Sequence, residues 1–392
     1  MLDCKAAAGC PAALFLFANP PVALLMSAKV PLRRFGLLAV VLFASAVNST
    51  CACAVETVVF RDKANDSKSR RTVVGELLVE AVDGGVMLLA DDGRIWTAQP
   101  EQIISRKSND EKLIPITDDQ MEKRMLAELP AGFKVYRTTN YLIVHNTNER
   151  YVRIVGTKFE QLYRAFFNYW KNKRWKLPQP RFPLVALVLA DKDDFLKYAT
   201  ADIGDTARSV IGYYHISRNQ LVTFNMPNLE RNIATIIHEG THQLAYNCGM
   251  QTRFADNPMW VSEGLAMYFE SPDTSSPRGW RGIGRVNQVN LARWNRYLRN
   301  RPAESLATLL ADDMRFRNTS TAENAYGEAW AMTFFLIRTR DKEYTAYMKK
   351  LSEGKPQSEL SARERIQAFE EAFDTTLVDL DKAFVAYMRR VR

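Results

Sequence analysis

Short apolar runs separated by turn residues fill residues 73–105, VVGELLVEAVDGGVMLLADDGRIWTAQPEQIIS. The Asp-Gly-Gly and Asp-Asp-Gly-Arg steps have the chemistry of tight turns, so the run predicts several short strands in a small β-barrel or β-meander. We bound this β-rich module at residues 55–112 and read it as structural or interaction-forming, with RKSNDEK (Arg106 to Lys112) as a polar linker. The period then changes. DDQMEKRMLAEL predicts a helix, FKVYRT and NYLIVHN a hairpin, and ERYVRIVGTKFEQLYRAFFNYW a long helix with Val152, Val155, Phe159, Leu162 and Phe166 along one face. PLVALVLA predicts a buried strand, DKDDFLKYA a short helix, and SVIGYYHISRNQLVTFN a second hairpin. From Asn228 onward nearly every periodic stretch is helical. The expectation is an α+β protein, with a mixed sheet followed by a mainly helical half in one domain over residues 113–392.

The region before residue 55 belongs to a different class. Lys29, Arg33 and Arg34 precede an apolar run from Phe35 to Val47, and Ala52-Cys53-Ala54 forms a small-x-small step. That order is the composition of a secretory signal, with Met26 as its start, and the apolar run is short for a membrane span. An uncleaved anchor is the alternative. Cleavage at residue 54 removes Cys4, Cys10, Cys51 and Cys53 and leaves Cys248 alone, so the mature chain has no intrachain disulfide. Lys and Arg exceed Asp and Glu by 53 to 44 in the whole chain. The segment takes Lys5, Lys29, Arg33, Arg34 and Asp3 with it, leaving 49 to 43. The basic residues are scattered, which predicts no nucleic-acid partner. The mature protein is expected in the periplasm, the cell envelope or the extracellular space, with no stable membrane span. Oligomeric state is open.

One predicted helix carries polar groups where a core face should be apolar. IIHEGTHQLAY, Ile236 to Tyr246, holds two of the chain's four histidines. His238 and His242 are four positions apart, so both imidazoles lie on one helix face, one turn from each other. Such a pair can hold a single Zn²⁺, with Glu239 beside it as general base on the ion's water. A catalytic zinc takes three protein ligands and keeps one position open. His145 and His215 fall in predicted strands and are poor third ligands. Downstream, NPMWVSEGLAMYFE (Asn257 to Glu270) predicts a helix with Asn257 as N-cap, Pro258 in its first turn and Glu263 in its second. A first helix ending near Gly249 leaves room to turn and bring Glu263 to the histidines. Gly240 and Gly264 flank the ligands inside helices, at about 1 kcal/mol each relative to alanine, which suggests close helix approach or backbone access. Cys248 reads as a small buried hydrophobe, and Phe166, Phe167, Tyr169 and Trp170 as helix packing.

HEGTH followed by PMWVSEGLAMYFE resembles the gluzincin superfamily of zinc metallopeptidases, most closely its aminopeptidase-like branch. It is also similar to an uncharacterised family of exported bacterial proteins built on that core. The specific likeness covers residues 232–270 and a looser one extends to about residue 340; the N-terminal 110 residues are outside it. The resemblance implies that His238, His242 and Glu263 bind zinc, that Glu239 is the catalytic base, and that the substrate is a peptide or protein. It departs from the pattern in two ways. The Gly-x-Met-Glu-Asn segment with which the aminopeptidases hold a free α-amine is absent, so exopeptidase specificity does not carry over. Met267 stands where some gluzincins place an acidic residue four after the third ligand, so the partner of a zinc histidine must come from elsewhere. Related enzymes take a transition-state donor from a downstream helix. Tyr326 is the candidate here, after a capping-box spacing at Ser320 to Glu323, with His215 as the weaker choice. The hairpin GYYHISRNQLVTFN alternatively offers an edge strand to an extended peptide. The rival readings are a zinc-binding scaffold without hydrolytic activity and an envelope interaction protein working through residues 55–112.

Overall fold

The computed structural model describes residues 55–62, 69–109, 111–271 and 283–392. The expected signal segment, residues 1–54, lies outside them. The protein is α+β, with two five-stranded sheets followed by a helical half.

The first sheet contains β1 (Val55–Arg61), β2 (Arg70–Glu80), β3 (Val86–Ala90), β4 (Ile95–Ala98) and β5 (Ile103–Asn109), in the order β4-β3-β2-β1-β5 and antiparallel throughout. The two Asp-Gly turns close as expected: Gly84 N–H donates to Ala81 O at 2.9 Å and Gly93 N–H to Ala90 O at 3.0 Å. The polar stretch from Arg106 corrects the linker expectation, because Arg106 to Asn109 form the end of β5 and pair with β1. Arg106, opposite Val58 in the ladder, reaches Glu56 and Glu80 and is hydrogen-bonded to both carboxylates, so ion pairs on this sheet face replace the apolar alternation.

After α1 (Asp118–Glu128), the second sheet contains β6 (Lys134–Arg137), β7 (Tyr141–His145), β8 (Leu184–Leu189), β9 (Gly212–His215) and β10 (Gln220–Phe224), in the order β6-β7-β8-β10-β9. The three inner strands are parallel, and β6 and β9 are antiparallel edges. Both faces are covered. Ile143, Ala186, Val188 and Leu221 pack with α2 (Glu149–Asn172) and α4 (Leu229–Asn247). Val144, Leu187, Val222 and Phe224 pack with α1 and α3 (Lys192–Ile203). A parallel strand buried on both sides reads as an unbroken apolar run, which is why LVALVL has no alternation.

The helical half follows α4 with α5 (Met259–Phe269), α6 (Gln288–Tyr297), α7 (Ser305–Ala311), α8 (Met314–Arg317), α9 (Ala322–Thr339), α10 (Asp341–Ser352), α11 (Ala362–Phe373) and α12 (Leu377–Met388). Every residue of α5 is buried. Trp260 stacks on Tyr347 at 6.0 Å and meets Phe369 edge-on. Gly264 permits the contact with α9: a Cβ there would lie 2.8 Å from Ala329 O and run into the Thr333 side chain. Gly240 does the same for α4 on α2, where a Cβ would lie 2.7 Å from Leu162 Cδ2. Close helix approach is therefore the reason for both glycines. Phe166 and Trp170 are core, and Cys248 is fully buried, as expected. Among the described residues no helix is long and apolar enough to cross a membrane.

Candidate metal centre

α4 is fixed at its start. Asn228 Oδ1 accepts the Arg231 N–H at 3.0 Å, and Asn232 Nδ2 donates to Phe224 O at 2.9 Å, tying the helix to the end of β10. About three turns further on, Gln243 Nε2 reaches Val185 O at 2.9 Å and ties α4 to β8. Between these anchors lie His238, Glu239 and His242, at 4%, 0% and 2% exposure. The chain leaves α4 at Asn247 and re-enters helix at Met259. Asn257 is not the N-cap of α5. Its amide instead holds the loop, donating to Thr252 O at 2.7 Å and Ala255 O at 3.1 Å. The first free N–H of α5, on Met259, is taken by Asp313 Oδ1 at 3.0 Å, and Arg365 Nη1 braces that carboxylate at 3.1 Å. Two downstream segments thus set the start of the helix that carries Glu263, in its second turn as expected.

The three proposed ligands converge. His242 Nε2 lies 3.3 Å from His238 Nε2, and the Glu263 oxygens lie 3.3 Å from His238 Nε2 and 3.8 Å from His242 Nε2. One ligand atom from each residue falls within 4.8 Å of the others. Donors placed tetrahedrally at zinc-ligand distances of about 2.0–2.1 Å stand roughly 3.3–3.4 Å apart, so the donor set fits one ion of that size. Its composition, two imidazoles and a carboxylate, is a set that the borderline zinc ion accepts. Glu263 Oε2 is buried, with His238 Nε2 3.3 Å away. Glu239 does not join the cluster of ligand atoms. Its Oε2 accepts the Tyr214 N–H at 2.8 Å, and its Oε1 has no partner among the described residues.

A residue absent from the sequence expectations completes the centre. Glu270, the C-cap of α5, accepts from His238 Nδ1 at 2.7 Å on Oε2. Its Oε1 takes Asn287 Nδ2 at 2.9 Å and Asn290 Nδ2 at 3.4 Å. The carboxylate that steadies His238 therefore lies seven residues after Glu263 rather than four. The spacing of seven returns to the same side of a helix after two turns. That recurrence, with a charge at the end of an otherwise buried helix, was the available signal.

Burial and neighbouring charge divide the protons among these groups. Burial opposes a charged His238, but the carboxylates of Glu263 and Glu270 outweigh it and hold the imidazole well above its ordinary pKa. Burial, reinforced by His238, holds His242 well below. Burial pushes the Glu239 carboxyl up to about 8. Glu263 is raised as well, chiefly by burial, against the pull of His238.

The other candidates are placed elsewhere. His145 Nδ1 lies 3.2 Å from Thr147 O. His215 is set aside as a transition-state donor. Its ring lies beside Tyr213, which packs with the α3-side core; His215 Nε2 is 3.5 Å from Asp202 and its Nδ1 accepts the Arg218 N–H at 3.2 Å. Tyr326 occupies an early turn of α9, buried and edge-on to Phe316 with 5.3 Å between ring centroids. The capping box before it does not form: Thr321 is the N-cap but its hydroxyl donates to Arg315 O at 2.8 Å instead of capping the helix, and Ser320 Oγ donates to Asn318 Oδ1 at 2.8 Å.

Residues 232–358 match the family described as "Protein of unknown function (DUF1570)". The match contains His238, Glu239, His242, Glu263, Glu270 and Tyr326, and leaves both sheets outside it. No curated protein matches the chain.

Proposed function

We propose that the protein is an exported zinc-dependent metallopeptidase in which His238, His242 and Glu263 hold one ion and Glu239 moves the protons. The observation that carries this reading is the convergence of three buried ligand atoms within 4.8 Å, one residue away from a carboxylate with an unused oxygen. Bound zinc would supply a Lewis acid that polarises the scissile carbonyl and acidifies a water. Glu239 takes a proton from the attacking water on Oε1, while the Tyr214 N–H holds Oε2 in place. As the C–N bond breaks, the same carboxyl delivers that proton to the leaving amine. Burial raises this carboxyl to about 8 in the absence of an ion, and the charge of a bound cation would bring it back down, so that it can accept a proton near neutral pH. His238 is oriented through Nδ1 by Glu270, which leaves Nε2 for the ion. Tyr326 is the proposed hydrogen-bond donor to the oxyanion. β9 is a sheet edge next to Glu239, so an extended peptide or protein segment is the proposed substrate. The N-terminal sequence pattern supports export.

Purified protein should contain about one zinc per chain, and chelation should abolish cleavage of a peptide library. Glu239→Gln should retain the zinc and lose about 10²–10⁴-fold in rate, the usual size of a general base's contribution. Equal cleavage by that variant would refute the mechanism. Zinc binding without cleavage in the native protein would favour the scaffold reading.

A further inference from the structure

β9 has four residues and pairs on one side only, with β10. The bond from Tyr214 to Glu239 leaves its outer side. A short edge strand of this kind frays readily unless something else holds it. The hairpin turn, residues 216–219, is held from three directions. From the first sheet, Ile95 N–H donates to Ser217 O at 2.7 Å. From the loop between α4 and α5, Arg253 Nη1 donates to Gly93 O at 2.6 Å and to Ile216 O at 3.3 Å, joining the β3–β4 turn to the hairpin turn. From α4, Asn247 exchanges side-chain amide bonds with Asn219 at 2.9 and 2.6 Å. Asn219 is itself in the left-handed region, at φ 54°, and accepts the Tyr214 hydroxyl at 2.6 Å. The Tyr214 ring stacks on Tyr246 of α4 at 5.7 Å.

The β3–β4 turn is shaped for this contact. Gly93 has φ 79°, and a Cβ there would lie 2.8 Å from Phe182 Cγ and 2.9 Å from Asn219 Nδ2. The turn is also anchored on its other side. Asp91 O accepts the Ile116 N–H at 2.9 Å, Arg124 bridges Asp91 and Asp92, and Arg94 pairs with Glu128 of α1. A fixed support outside the helical half therefore presses on the turn that carries the Glu239 contact.

We propose that the N-terminal sheet positions the site: Gly93 and Arg253 fix the β9–β10 hairpin so that the Tyr214 N–H meets Glu239. Both are positioning residues, acting through the hairpin. The placement of the hairpin is independent of the proposed peptidase reading; only its kinetic consequence rests on it.

The test is residue-resolved amide exchange on the full chain, with Tyr214 as reporter and Ile237 of α4 as reference. Arg253→Met removes both carbonyl bonds while keeping a long side chain, and Gly93→Ala imposes a Cβ on the turn. Each should raise Tyr214 exchange at least tenfold and leave Ile237 within twofold, with zinc content unchanged. Arg253→Lys should restore part of the protection. With a cleavable peptide, the two disruptive variants should lose about tenfold in kcat with KM within twofold. Unchanged Tyr214 protection in Arg253→Met overturns the proposal, and so does an equal rise at Tyr214 and Ile237. If Gly93→Ala fails to fold, the Arg253 pair decides alone. If no peptide is cleaved by any form, the exchange result still decides the positioning role, and the failure belongs to the peptidase reading.

Discussion

Glu270 offers the sharpest quantitative test of the proposed centre, because its carboxylate touches His238, a proposed ligand, and not the proposed ion. Its Oε2 lies 2.7 Å from His238 Nδ1, a charge-assisted distance, and its side chain is 19% exposed. Replacing it with alanine leaves Nδ1 without that acceptor and frees the ring to rotate. Outer partners of metal histidines contribute about 10–100-fold in affinity, or roughly 1.4–2.8 kcal/mol. Glu270→Gln keeps an acceptor for Nδ1 but loses the charge, and one of its amide atoms must meet the Asn287 donor. We expect about tenfold weaker zinc binding for the glutamine and up to about 100-fold for the alanine.

A second effect opposes this one, and its pH dependence separates the two. Glu263 and Glu270 hold a proton on metal-free His238 well above the ordinary imidazole range, and zinc must displace it. Removing Glu270 lowers the cost of that displacement. At pH values below the His238 pKa this relief offsets part of the lost orientation; above it the relief vanishes. The ratio of variant to native Kd should therefore grow as pH rises from the ordinary imidazole range through the raised His238 range. Competition against a chromophoric chelator, with circular dichroism to confirm folding, measures it. A Glu270→Ala protein that is folded and binds zinc within threefold of native at the higher pH would refute the assigned role.

Three further outcomes follow from burial and packing. Gly264→Ala should lower the melting temperature by several degrees and weaken zinc binding, because its Cβ would press on Ala329 O at 2.8 Å at an overpacking cost of about 1–3 kcal/mol; an unchanged melting curve would contradict the close approach. Cys248 should resist alkylation in the native state at about pH 8 and react on unfolding, since burial pushes its thiol up to about 12. In metal-free protein, Glu239 has a folded pKa of about 8 against an ordinary 4.5, so its contribution is complete at low pH and is lost as pH rises through that window. Native metal-free protein should then lose more stability between about pH 5 and pH 8 than Glu239→Gln; parallel pH profiles would remove the basis for a raised carboxyl.

The elements were legible where the signal is local. His238 and His242 announce a shared face by spacing alone, and α2 by its stripe from Val152 to Phe166. The strands flanking Asp-Gly turns were equally plain. What failed was set by partners distant in sequence. Arg106 to Asn109 look like linker until β1 lies beside them with Glu56. Asn257 looks like a cap, but the Met259 N–H is taken by Asp313, far along the chain. Glu270 was hidden for a related reason. α5 is buried all round, so its periodicity marks no face, and the position four after Glu263 is held by Met267 at 2% exposure. Only the Asn287 and Asn290 amides of the α6 segment show that the carboxylate two turns along is the one held in place.

The handling of buried charge elsewhere in the molecule shows why this centre is unusual. Glu328 is fully buried, yet both of its oxygens are taken, by Arg301 and by Ser305 and Arg315. Asp256 and Asp313 share Arg365. Asp92 lies between Arg94 and Arg124. The fold supplies a guanidinium wherever a core carboxylate needs one, as the cost of an uncompensated buried charge requires. Among the described residues, Glu239 Oε1 is a buried carboxylate oxygen with no hydrogen-bond partner, and Glu263 is buried against His238 and His242. No arginine reaches either. Replacing such groups by apolar ones of similar volume would often stabilise a core that did nothing else. A Glu239 oxygen without a partner, and a Glu263 carboxylate faced by imidazoles rather than a guanidinium, fit the proposed site for a cation and a proton. The native protein should therefore gain stability on adding zinc, and Glu263→Ala should lose most of that gain.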